Sequence, residues 1–118
     1  MDGLTKENRA YCQVIVEKLK EIEISKIILF GSSAYGGTHP DSDIDLIVVT
    51  ADDYMPRSYK EKSDIHLRVS SALGDIFERT TLDLIVYTKP MYDKFMQLGS
   101  LFSKEVSEKG IVLYEAGN

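Results

Sequence analysis

The chain has 118 residues, with 14 Lys plus Arg against 19 Asp plus Glu, a net charge of −5 and a hydrophobic fraction of 43%. That length allows one core with helices packed on a sheet and leaves no room for a second, so residues 1–118 are expected to be a single domain. The acid excess excludes a protein that grips extended nucleic acid through a broad basic face, because phosphate contacts supply most of that affinity.

From Thr5 to about Ile22, Ala10, Tyr11, Val14, Ile15, Val16, Leu19 and Ile22 recur at helical spacing and predict an amphipathic first helix. Lys26 to Phe30 is short, β-branched and closed by Gly31, the pattern of a buried strand. A polar, glycine-rich connection, Ser32 to Ser42, leads to a second strand, Asp43 to Val49, whose apolar run after Asp45 calls for cover on both faces. A loop over Thr50 to Arg57, in which Asp52 and Asp53 read as solvated residues, precedes one long helix from Ser58 to about Phe77. The third strand, Thr81 to Tyr87, repeats the second: both read Asp-Leu-Ile-Val. Pro90 suits the first turn of a helix over Met91 to Leu98, with Phe95, Met96, Leu98 and Leu101 read as core and any surplus as a partner surface. A further helical stretch, Leu101 to Lys109, and a last strand, Ile111 to Tyr114, complete the order. The expectation is an α/β (α+β) domain, a small mixed sheet of about four strands with helices packed on it.

No apolar run approaches the roughly 18 residues of a membrane span, and no charged-then-apolar leader precedes Leu4. The single Cys12 has no internal disulfide partner and reads as a filler of the helix core. A cytoplasmic protein without membrane contact is expected, and whether it forms a homo-oligomer stays open.

The chemistry is concentrated between Phe30 and Asp45. A strand ending in Gly31-Ser32 and followed by a turn can aim backbone N–H groups and the Ser32 hydroxyl at an anion, and Gly31 lets a phosphate approach the backbone. Asp43 and Asp45 are two apart in a strand, so their carboxylates leave one face while Ile44 and Leu46 turn to the core. If the third strand lies beside the second, Asp83 joins them. Three converging carboxylates repel one another, and a divalent cation relieves that strain. Oxygen ligands without His or Cys indicate Mg2+ or Mn2+, and two such ions can activate a hydroxyl and neutralise a phosphate. The reaction class these residues predict is nucleotidyl transfer.

Gly31-Ser32, ten residues, then Asp43-Ile44-Asp45, with a later strand acid at Asp83, resembles the DNA polymerase beta-like nucleotidyltransferase superfamily, and the short chain is similar to its minimal nucleotidyltransferase branch. The resemblance implies the nucleotidyltransferase fold. It implies Asp43, Asp45 and Asp83 as catalytic metal ligands, with Asp83 helping to deprotonate the acceptor, and Gly31 and Ser32 as holders of the triphosphate of ATP. Many minimal members pair with a helical HEPN-domain toxin, which they adenylylate or simply bind, so the resemblance implies the antitoxin of a type VII-like toxin-antitoxin pair. The alternative it leaves is a non-catalytic antitoxin that neutralises its partner by complex formation. Ser33, Ala34 and Tyr35 stand where many members carry an arginine; Arg57, Lys60 and Lys62 are the candidates to replace that cation.

Other polar residues have plainer readings. Asp41 caps the turn before the strand, His39 is a loop residue that can reach nucleotide, His66 is a packing or surface residue, and Tyr35 either stacks on a base or packs the turn. A phospho-accepting receiver domain is disfavoured, because it needs paired acids where this chain has Phe30-Gly31-Ser32.

Overall fold

A computed structural model describes residues 6–31 and 44–117. Its elements are α1 (Lys6–Leu19), β1 (Ile24–Phe30), β2 (Ile44–Thr50), α2 (Tyr59–Leu73), α3 (Ile76–Arg79), β3 (Leu82–Tyr87), α4 (Lys89–Leu98), α5 (Leu101–Lys109) and β4 (Ile111–Glu115). The strands form one mixed sheet in the order β3-β2-β1-β4. β1 runs antiparallel to both β2 and β4, whereas β2 and β3, joined through α2 and α3, are parallel.

Alternation along the strands builds two cores. Ile27 and Leu29 of β1 and Ile44, Leu46 and Val48 of β2 meet Cys12, Ile15 and Leu19 of α1 and Val69 and Leu73 of α2. On the other face Ile28, Ile47 and Val49 pack with Val106 of α5, and Tyr92, Phe95 and Phe102 close around them. Burying each such Ile or Leu stabilises the fold by about 2 kcal/mol, and β2, covered on both faces, carries the continuous apolar run that the sequence shows.

The expected long helix from Ser58 to Phe77 is two helices. Ser58 caps α2 by accepting a hydrogen bond from the Glu61 amide at 3.1 Å, and the helix ends at Gly74, whose φ of +59° is open to a residue without Cβ. α3 then restarts for one turn. Pro90 lies in the first turn of α4 as expected, behind the Thr88 cap. Leu98 and Leu101, expected in the core, are 70% and 88% exposed. They flank Gly99, at φ +61°, where the chain reverses between α4 and α5, and so point away from the sheet that Phe95 and Phe102 cover. Among the described residues no helix is long and apolar enough to cross a membrane.

Candidate active site

The repeated Asp-Leu-Ile-Val segments pair residue for residue across the parallel ladder: Asp45 with Asp83, Leu46 with Leu84, Ile47 with Ile85 and Val48 with Val86. Across the antiparallel ladder Asp45 is opposite Phe30. Residues in register on neighbouring strands project to the same face from backbones about 5 Å apart. Phe30, Asp45 and Asp83 therefore form a row across one end of the sheet, on the face covered by α4 and α5. Asp45 is half-buried in the row, while Asp83, on the edge strand β3, is exposed.

Gly31 follows β1 directly with φ +76°, and a Cβ placed on it would lie 2.1 Å from Oδ2 of Asp45 and 3.0 Å from its Cγ. The space that glycine leaves is thus taken up by the Asp45 carboxylate, a packing role the sequence pattern does not announce. Phe102 of α5 stacks edge-on against Phe30 with ring centroids 5.3 Å apart, closing the apolar side of the row.

Asp43 and Ser32, together with Ser33, Ala34, Tyr35, His39 and Asp41, lie outside the described residues. Among the described residues no group of three acidic, histidine or cysteine side chains is placed to hold a metal ion. Asp45 and Asp83 nevertheless bring hard oxygen donors together on one face, the donor type that suits Mg2+ or Mn2+.

The candidate replacement cations stand elsewhere. Arg57, Lys60 and Lys62 enter α2 beyond the Thr50 end of β2, about 17 Å along the strand from Asp45. The Arg57 amide donates to Glu61 Oε2 at 2.9 Å, and Lys60 pairs with Asp64 at 3.5 Å on the exposed helix surface. They are not partners of the acid row.

At that same far end the structure corrects the reading of Asp52 as a solvated loop residue. Its carboxylate accepts the Thr50 hydroxyl proton at 2.6 Å and a guanidinium bond from Arg68 Nη1 at 3.4 Å, with Nη2 of Arg68 closing an ion pair on its other oxygen. Its carbonyl accepts from the Lys89 amide at 3.1 Å. Burial alone would push the pKa of this carboxyl up, but hydrogen bonds from Arg68 and Thr50, with the Arg68 charge, outweigh burial and hold it below the ordinary carboxylate range. Through its side chain and its carbonyl, Asp52 thus ties the end of β2, Arg68 of α2 and the start of α4 together.

Cys12 is a core residue as expected, with burial pushing its thiol up to about 11. His66 sits on the exposed side of α2. A groove of about 450 Å3 between α1 and β4, lined by residues including Arg9, Gln13 and Leu113, opens on the α1 face and takes no part in the acid row.

Comparison with protein families matches residues 12–76, more than half of the chain, to the Nucleotidyltransferase domain. No curated protein matches at a significant level. Similar solved structures include a toxin-antitoxin complex with AMP-PNP, at TM-score 0.52 and 23% identity over 89% of this chain and 73% of that one. A mutant of the toxin-antitoxin pair MntA-HpeT superposes at TM-score 0.51 and 21% identity, over 89% of this chain and 73% of the other. A candidate nucleotidyltransferase from Sulfolobus solfataricus shares the fold at TM-score 0.56 and 15% identity, over 91% and 78%. At these identities the neighbours show a common fold.

Proposed function

The chain belongs to the nucleotidyltransferase domain family, and on that premise we propose that it transfers AMP from ATP to a hydroxyl of a partner toxin, as the antitoxin of a toxin-antitoxin pair. The observation that carries the reading is the register of Asp45 against Asp83, which sets two carboxylates side by side next to Gly31. The toxin-antitoxin setting of two neighbours, one of them with AMP-PNP, supports the choice of donor and partner class. A HEPN-domain toxin is the partner that the sequence resemblance implies.

Asp45 and Asp83, with Asp43, are the residues that would hold Mg2+ or Mn2+, two ions in the form of the reaction we favour. When bound, these ions screen phosphate charge and acidify the attacking hydroxyl. The chain's own residues divide the remaining work. Gly31 and Ser32 hold the triphosphate against the end of β1. Asp45, wedged beside Gly31, lies on the donor side of the row, and Asp83, exposed on the edge strand, faces the acceptor and takes up the hydroxyl proton on a carboxylate oxygen. A bond forms between the acceptor oxygen and the α-phosphorus, and the bond to pyrophosphate breaks.

Purified protein with radiolabelled ATP, Mg2+ and its toxin partner should label the partner, and Asp43→Ala or Asp45→Ala should lower the rate by about a hundredfold or more. Calorimetry should show metal-dependent ATP binding that the double substitution abolishes. Undiminished labelling by both variants would overturn these roles. A second reading, a non-catalytic antitoxin, is favoured by Ser33, Ala34 and Tyr35 in place of an arginine; it is selected instead if the double variant neutralises the toxin fully without changing its mass.

A further inference from the structure

The two edges of the sheet differ. β4 is offset from β1 by a register shift between Ile27 and Ile28, and Glu115 at its end pairs with Lys26 at 3.4 Å. Irregular pairing and charge are the usual protections of an edge strand. β3 pairs with β2 without any shift over Leu82 to Tyr87. Its four consecutive apolar residues Leu84 to Tyr87 are half-buried, against near-complete burial of their counterparts Leu46 to Val49. No strand among the described residues pairs with its outer side.

The carbonyl of Thr81 accepts from the Ile44 amide at 3.0 Å, so Thr81 turns its backbone groups toward β2. By alternation Asp83, Ile85 and Tyr87 do the same, and Leu84 and Val86 direct theirs outward. At its head this edge carries exposed Asp83, beside a groove of about 440 Å3 lined by residues including Phe77, Glu78 and Thr81. The edge that is open to another strand is therefore the one that carries the outer acid of the row.

We propose that the acceptor docks as an added β-strand: an extended, basic segment of the partner protein pairs with the outer edge of β3 and thereby sets its hydroxyl beside Asp83. This rests on the transfer reading above and deepens it by specifying how the acceptor is held. Main-chain pairing supplies the affinity and alternate side chains the selection. Charge selects the occupant. The chain carries −5, and at the docking end Asp45, Asp83 and Glu78 outnumber Arg79, whose charge is answered by Asp75 at 2.8 Å, so a segment rich in Lys and Arg is attracted, whereas a second copy of the same chain is repelled.

The test uses the whole chain and a synthetic octapeptide of alternating Val or Thr and Lys with one central Ser. Backbone hydrogen exchange, read amide by amide, should slow at Leu84 and Val86 when the peptide is added, and an all-glutamate counterpart should leave both unchanged. Val86→Pro removes an outward donor without removing a bond to β2. It should weaken transfer to the toxin through KM by about fivefold and leave the ATP dissociation constant unchanged. Exchange at Leu84 and Val86 that ignores the basic peptide overturns the proposal, even if Val86→Pro fails to fold. Slowing that needs no peptide and grows with protein concentration also overturns it, in favour of a second copy. Labelling of the toxin that survives Val86→Pro with KM unchanged refutes the docking mode alone, and peptide protection without any ATP binding refutes the transfer reading alone.

Discussion

Each end of the central strand β2 carries an aspartate, and the two are held in opposite ways. Asp52, just past the Thr50 end, meets a hydroxyl and a guanidinium with its carboxylate and the start of α4 with its carbonyl, so its charge is answered within the fold. Asp45, at the other end, is set beside a second acid, and that acid, Asp83, makes no ion pair among the described residues. Carboxylates side by side repel, and that repulsion works against stability. The difference separates a carboxylate used for architecture from a pair that, on the transfer reading proposed above, serves chemistry.

The largest effect expected from probing this contrast is at Gly31. An alanine Cβ would meet Asp45 Oδ2 at 2.1 Å and would also have to adopt φ +76°. Gly74 has a similar φ of +59° but nothing within 4 Å of the position of its Cβ, which makes Gly74→Ala a control for backbone strain alone. Both variants should lose about 1–3 kcal/mol in denaturant unfolding. Gly31→Ala alone should also lower nucleotidyl transfer, by about tenfold or more, through a displaced carboxylate. Equal activity in the two variants would mean that contact between Gly31 and Asp45 has no catalytic consequence.

A smaller effect is expected at Asp52, and its sign is opposite in kind: stability changes and transfer does not. Because the folded state holds this carboxyl below its ordinary value of 3.8, its contribution is complete above that value and is lost as pH falls through the lowered folded one. Asp52→Asn should therefore reduce stability at neutral pH by about 1 kcal/mol or less, since Arg68 is half-exposed and solvent screens the pair. Thermal melts of both proteins at neutral pH and in strong acid should show the gap closing only on the acid side of 3.8. A gap that persists there would mean that packing, not the charge, is what Asp52 supplies.

How much of this was legible in the sequence follows from the range of each interaction. The Asp45–Asp83 register is visible because parallel neighbours that face helices on both sides carry the same local pattern, and the segment Asp-Leu-Ile-Val appears twice. Pro90 and the apolar run of β2 are equally local signals. The Asp52–Arg68 bond joins residues 16 apart whose meeting depends on where α2 lies, so Asp52 looks like any loop acid until the helix is docked. Gly74 sits within an unbroken helical periodicity, and only its positive φ shows that α2 ends there. Leu98 and Leu101 continue the apolar spacing of α4, yet the reversal at Gly99 turns them outward. The packing of Asp45 over Gly31 was hidden for a different reason: a glycine after a strand has several uses, and sequence does not say which neighbour fills the space.

The smallest effect should come from the basic turn at the far end, and its smallness is the point. Arg57, Lys60 and Lys62 would matter to nucleotide binding only if α2 began near the acid row, but the chain enters α2 past the Thr50 end, and Arg68, more than two turns further along that helix, is still level with Asp52. The combined substitution Arg57→Ala, Lys60→Ala and Lys62→Ala removes three positive charges from a surface about 17 Å or more from Asp45, beyond the Debye length of roughly 8 Å at physiological salt. The ATP dissociation constant should change by less than about twofold in calorimetry at that salt. A tenfold weakening would put these cations on the phosphates and would mean that the two ends of β2 are not chemically separate; an unchanged constant excludes Arg57, Lys60 and Lys62 as the replacement for the missing arginine.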